Sequence, residues 1–283
     1  MAPSLFPFMA LMPLLTSPEA NRFYNAALGG LMRRLFGLPG SAAAPMVAGM
    51  IAGSPAGCIA ARAVAAEEGF TRGELERVAL ACCGLSPAFF ISAVGAGMLG
   101  DAALGHVLLR AQLMTQLSML ALGRLFCRDD EPVGEVEPGN VSKPVLSIIN
   151  VAGYMALFGA IAGALRAPAI QLILDITAGS RFLCGLNIDI QRKLIALSAL
   201  AGYGGLCVCV QNIGVLKACG VRPVRFMAAR CLAGLLAAEF TAIQIKIAFI
   251  GFTAFSPEFF NISCILAVLI AIPALIRIGR TIF

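Results

Sequence analysis

Long apolar runs recur along this chain, and several are cut near their centres by Gly, Ser or Pro. A transmembrane helix needs roughly 20 mostly apolar residues to cross about 30 Å of hydrocarbon. At least six stretches reach that length without a cluster of charges. Of the 283 residues, 59% are hydrophobic and 13% charged, against about 25% charged in an ordinary soluble domain. With a mean hydropathy of +0.90, a water-soluble fold could not hide that much apolar surface. The lipid bilayer is therefore the expected solvent, and the expected fold class is all-α: a polytopic membrane helix bundle.

The net charge of +6 comes from Arg and Lys scattered through short connections. That distribution suits the positive-inside rule and gives no stripe for nucleic acid. Ten Cys and one His offer neither a zinc set nor a disulfide framework. Cys82-Cys83 and Cys207-Val208-Cys209 sit inside apolar runs and read as small buried hydrophobes. No metal is expected. The chain has no P-loop, no H-E-x-x-H and no G-x-S-x-G, so neither ATP-driven transport within the chain nor enzymatic chemistry is expected. Residues 3–15 form an apolar run without a preceding basic region or a following A-x-A site, so a cleaved signal peptide is not expected.

Ser17-Pro18-Glu19 supplies an N-cap, a first-turn Pro and an acidic residue, predicting a helix to about Phe36 at the membrane interface. Residues 42–64 are apolar but carry Gly53-Ser54-Pro55-Ala56-Gly57 at their centre, where a continuous helix is disfavoured. Thr71-Arg72-Gly73-Glu74 is a capping box, and the helix it opens meets a second interruption at Gly84-Leu85-Ser86-Pro87. A span at 103–126 and a hydrophilic loop at 127–143 follow. The second half echoes the first. It has a span at 145–165, a segment at 167–183 broken around Asp175-Ile176-Thr177-Ala178-Gly179, and a span at 194–216 containing Gly202-Tyr203-Gly204-Gly205. Further spans are predicted at 224–250 and 260–276.

Corresponding breaks in two halves suggest a transporter with inverted repeats, in which half-helix ends meet near the midplane. The single membrane domain, 1–283, then divides into a first gate-like repeat at 41–126, the polar loop at 127–143, a second repeat at 144–250 and a C-terminal span at 251–283. Counting cations supports this. If the Gly53 and Asp175 segments are re-entrant, Arg33, Arg34, Arg72, Arg77, Arg128, Lys143, Lys217, Arg222, Arg225, Arg277 and Arg280 share one face. Arg166, Arg181, Arg192 and Lys193 then lie toward the other, as the positive-inside rule prefers. This topology starts the chain on the outer side, so an upstream span is expected.

Pro3-Ser4-Leu5-Phe6-Pro7-Phe8, Gly53-Ser54-Pro55-Ala56-Gly57, the stretch at 84–90 followed by Gly95-Ala96-Gly97, and Gly204-Gly205-Leu206-Cys207-Val208 occur in order. With them the chain resembles the YlbJ-type sporulation membrane proteins over nearly its whole length. The resemblance implies the gate fold also called a nucleoside-recognition domain, related to concentrative nucleoside transporters. It also implies movement of dipicolinate, a small aromatic dicarboxylate, during spore formation. Two departures stand out: the family's additional N-terminal membrane helix is absent, and a motif ordinarily rich in Asn and Ser reads Cys82-Cys83-Gly84-Leu85-Ser86-Pro87 here.

The candidate solute-binding residues are Gly53, Ser54, Pro55, Gly57, Ser86, Pro87, Asp175, Thr177, Gly179 and Gln211. A broken helix exposes backbone groups that need partners, and its N-terminal ends favour an anion; a packing kink is the alternative at Gly53. Asp175, an ionisable residue in an apolar segment, would couple a proton or Na+ to transport, or else sit at a surface turn or pair with Arg181. Ser86 and Gln211 read as ligand contacts and Asn212 as interhelical glue. The expected function is a permease for a small anionic or aromatic solute. The alternatives are a nucleoside-type solute, or a non-transporting scaffold in spore formation. The bilayer and a small solute are the expected partners, and self-association is compatible with this reading.

Overall fold

A computed structural model describes residues 17–127, 130–133, 144–165 and 168–249. The run at 3–15, most of the polar loop and the expected span at 260–276 lie outside the described residues. The named elements are all helical, with one isolated antiparallel bridge between Thr71 and Pro132.

Helix α1 (Pro18–Leu31) opens on Ser17, whose hydroxyl accepts the Ala20 N–H. A π-helical turn, Met32–Phe36, ends at Gly37 with φ +58°. The chain then turns through 106° into the segment Gly40–Ala52, whose larger part is α2 (Ala43–Ala52). Helix α3 (Ala56–Glu68) follows. Helix α4 (Arg72–Cys82) starts with a complete capping box: Thr71 Oγ1 accepts the Glu74 N–H at 3.2 Å and the Glu74 carboxylate accepts the Thr71 N–H at 2.9 Å. Helix α5 (Phe89–Leu99) has π-helical winding, and α6 (Ala102–Phe126) returns along it.

The second half comprises α7 (Pro144–Leu165), α8 (Pro168–Leu174), α9 (Ile176–Gly185), α10 (Ile190–Tyr203), α11 (Gly205–Leu216) and α12 (Pro223–Phe249). Asp189 caps α10, and the N–H groups of Gln191 and Arg192 hold its carboxyl below the usual carboxylate range.

Run length predicted at least six full spans. Among the described residues, Ile190–Cys219 and Pro223–Ile247 are long and apolar enough to cross a membrane, and Pro18–Phe36 with Gly40–Ala52 forms a third, bent candidate. Part of the difference is local: glycine and proline divide the runs at Gly53–Pro55 and Gly84–Pro87 into half-length helices, whereas α6 is an unbroken helix of 25 residues with Arg110, Gln112 and Gln116 along it. Together with the composition, these helices place the protein in a membrane, as an all-α helix bundle.

Small residues let the rods approach. A Cβ added at Gly202 of α10 would stand 2.8 Å from the Gly234 Cα of α12, the close backbone contact that membrane helices use in place of a hydrophobic driving force. At one end of the bundle the contacts are ionic. The Glu76 side chain on α4 is 1% exposed and accepts Arg225 Nε at 2.8 Å, with a second bond from Nη2. Arg225 also donates to the Phe126 carbonyl at 3.2 Å, tying α4, α6 and α12 together.

Candidate functional site: a cavity where four helix breaks meet

The first break separates α2 from α3. Gly53 has φ +75°, and a Cβ there would fall 2.7 Å from the Ser86 N. The Ser54 N–H donates to the Gly84 carbonyl at 2.7 Å, so this tip rests on the second break, between α4 and α5. The other half repeats the arrangement. The third break is at Asp175, between α8 and α9. The fourth is at Gly204 and Gly205, between α10 and α11, with φ +87° and +80°. A Cβ on Gly205 would stand 3.2 Å from the Ile176 N. In each half, then, the backbone of a hairpin tip lies against the break in the following helix, in a contact that glycine alone permits.

Residues at the first three breaks, and the turn of α11 just beyond the fourth, line one cavity of about 400 Å³. Ser54 lines it at the first break, Leu85 and Ser86 at the second, Asp175 and Thr177 at the third, and Cys207 with Gln211 beyond the fourth. Phe89, Ile176 and Val208, from the opening turns of α5, α9 and α11, complete much of the apolar wall. The positive ends of these half-helices therefore face the cavity, an arrangement that favours negative charge.

Of the residues singled out from sequence, Ser54, Ser86, Asp175, Thr177 and Gln211 line this cavity. Gly53, Pro55, Gly57, Pro87 and Gly179 do not. Gly57 packs behind the tip, where a Cβ would be 2.8 Å from Cys82 Cβ, and Gly179 lies against Leu172 and Leu200. Their contribution is to let backbones approach. Asp175 is buried and caps α9, accepting the Ala178 N–H at 2.8 Å; among the described residues no ion pair joins it to Arg181. Ser86 Oγ accepts the Phe89 N–H at 3.4 Å, and Gln211 Nε2 reaches Cys207 Sγ at 3.1 Å. Asn212 is fully buried behind the cavity, and its Oδ1 accepts the Ser54 hydroxyl at 2.8 Å. That bond joins the first-half tip to α11.

Several buried polar groups were not singled out from sequence. Arg230 on α12 is 2% exposed; its Nε donates to the Tyr203 carbonyl at 3.2 Å, while Nη2 is buried without a partner. Gln112 and Gln116 on α6 are equally buried, with no partner at either end of either amide. Gln116 packs on Gly84, at the second break. The signal for Arg230 was available, since it is an ionisable residue inside a long apolar run, the property that marked Asp175.

No family model matches this chain, and no solved structure matches it. It is similar to the sporulation integral membrane protein YlbJ of Bacillus subtilis (strain 168). The two are 26% identical over 300 aligned positions, covering 86% of this chain and 74% of the relative. The similarity supports a YlbJ-type assignment.

Proposed function

We propose that this protein is a membrane permease, and that the cavity at the four breaks holds a small solute with anionic and aromatic character. The convergence of the breaks carries this reading. Interrupted helices in a membrane are tolerated where they are buried in protein or line a cavity, and a mostly apolar cavity with Ser54, Ser86, Asp175, Thr177 and Gln211 on its wall supports a small-molecule site. The N-terminal ends of α5 and α11 favour a carboxylate, and Phe89 lines the cavity. The name of the Bacillus subtilis relative suggests a setting in spore formation, and dipicolinate fits the chemistry. The matching contacts of tip and break in each half support an inverted repeat, and Asp175 is the candidate for coupling to a proton or Na+.

Asp175 also favours a second reading. With its carboxylate beside Ser54, Ser86, Thr177 and Gln211, the cavity would suit a neutral, hydroxyl-rich solute of nucleoside type. The test is flux into proteoliposomes of the full chain, with labelled dipicolinate and labelled uridine measured in parallel under proton and Na+ gradients. Dipicolinate flux that falls at least tenfold in Ser86→Leu supports the first reading, and uridine flux alone supports the second. Absence of flux for both under every gradient removes the permease reading and leaves a scaffold.

A further inference from the structure

We infer that the bend at Gly37 is a binding site for the phosphate of an anionic phospholipid, with Arg124 as its principal donor. The π-helical turn that ends α1 meets the segment Gly40–Ala52 at 106°. With so sharp a bend, one arm can enter the bilayer only if the other lies near its plane. Helix α1 and its turn carry the basic residues Arg22, Arg33 and Arg34, all exposed, whereas α2 is apolar throughout. The polar arm is the one suited to the interface, which sets Gly37, at the corner, at the level of the lipid headgroups.

Three elements bring cations to this corner. The Gly37 carbonyl accepts Nη1 of Arg77 on α4 at 3.4 Å, and the Phe36 carbonyl accepts its Nη2. The Arg77 stem passes over Gly123 of α6, where a Cβ would stand 3.0 Å from its Cγ. From the next residue of α6, the Arg124 guanidinium lies across Gly37: a Cβ built there would be 3.1 Å from Cζ and 3.3 Å from each Nη. The charges of Arg77 and Arg124 repel, so together they call for an anion. The carboxylates of α4 are committed elsewhere, Glu74 to the Thr71 N–H and Glu76 to Arg225. None of the ion pairs among the described residues includes Arg34, Arg77 or Arg124. Arg77 is buried with both Nη groups on carbonyls, so it adds charge from behind. Arg124 is half-buried, and Gly37 and Arg34 are exposed, which leaves an open side where a phosphate can take the forked donor. Leu31 and Leu125, beside Arg33 and Arg124 in sequence, are exposed large apolar side chains. A lipid covers both kinds of surface at once, as free phosphate does not, and anionic leaflets attract basic residues at this depth.

The test titrates the purified full chain in detergent with phosphatidylglycerol, phosphatidylcholine or inorganic phosphate, reading adducts by native mass spectrometry and recording melting temperature alongside. Wild type is expected to hold one phosphatidylglycerol roughly tenfold more tightly than phosphatidylcholine, the effect of two basic residues near the headgroup. Arg124→Gln is expected to weaken phosphatidylglycerol binding by on the order of tenfold, the lower range for a bond to a charged group, and to leave phosphatidylcholine unchanged. Arg34→Gln removes an exposed cation and is expected to cost about fivefold; it carries the test should the Arg124 variant not fold. Arg192→Gln removes an exposed charge at the start of α10, on the opposite face in the cation count, and is expected to change binding by less than about twofold. If it weakens phosphatidylglycerol as much as Arg124→Gln does, net charge alone attracts the lipid and the inference falls. The same holds if wild type binds both lipids alike. Inorganic phosphate that displaces the lipid at equal concentration would assign the corner to a free oxyanion and overturn the lipid site.

Discussion

The hydrogen bond from Ser54 to Asn212 offers the most direct test of how the first-half tip is held. Asn212 is 0% exposed and accepts the Ser54 hydroxyl at 2.8 Å; its own Nδ2 is buried without a partner. Asn212→Ala loses that bond and the packing of a buried side chain, but it also removes a donor already left unmet, which returns part of the loss. We expect a net cost of about 1–2 kcal/mol, below the usual range for truncating a large buried residue. Ser54→Ala should cost less than about 1 kcal/mol, because Ser54 borders the cavity and its hydroxyl loses only one modest bond. The coupling in a double-mutant cycle isolates the bond itself. Interhelical hydrogen bonds in membrane bundles average about 0.6 kcal/mol and reach about 1.7, and this one should fall in that range. Unfolding of the four proteins in one detergent gives the cycle. Strictly additive single costs would refute the latch, since two side chains in hydrogen-bond contact cannot act independently.

Two further predictions concern the scaffold. Glu76→Gln should lower stability by about 1.5 kcal/mol, the lower end for bonds to a charged group, because the Arg225 side chain is 26% exposed and partly screened; a thermal-unfolding change below about 0.5 kcal/mol would show that this pair does not tie α4 to α12. Cys58 and Cys83 have sulfurs 3.3 Å apart, so treatment with diamide, which takes up two electrons and two protons as the thiols join, should give a Cys58–Cys83 peptide by mass spectrometry. Recovery of both as free thiols, while exposed Cys231 is fully modified, would argue against the packing of α3 on the second break.

Features set by local chemistry were legible in the sequence. Ser17, the Thr71–Glu74 box and the Gly53 and Asp175 interruptions each depend on neighbours a few residues away, and each lies where sequence placed it. The π-helical winding of α5 and the 106° turn before Gly40 were not legible, because run length records hydrophobicity and not local winding. Nor was the division of labour among the candidate residues. Gly57 and Gly179 share the breaks with Ser54 and Thr177, yet a residue faces the cavity or packs behind it according to which helix lies opposite. Arg230 and the pair Gln112 and Gln116 acquire significance only because α12 and α6 bring them to Gly204 and Gly84, far away in sequence.

The pattern of bonds around the cavity bears on how the helices around it could move. Within the first half, the freed backbone of the tip is satisfied by its own half's second break, Ser54 N–H to Gly84 carbonyl. Within the second, Gly205 lies against the backbone at Leu174 and Asp175. Both are close backbone contacts at glycine, and breaking the first would leave the Ser54 N–H and the Gly84 carbonyl unpaired at a cost of several kcal/mol. Across the halves at the cavity, by contrast, the contact is between the side chains of Ser54 and Asn212, worth about 1 kcal/mol and replaceable by water or solute. Tip and break should therefore travel together within each half, and at the cavity any shift between the halves first breaks the Ser54–Asn212 bond. Motion that opened the cavity by pulling Ser54 from Gly84 would be the expensive alternative.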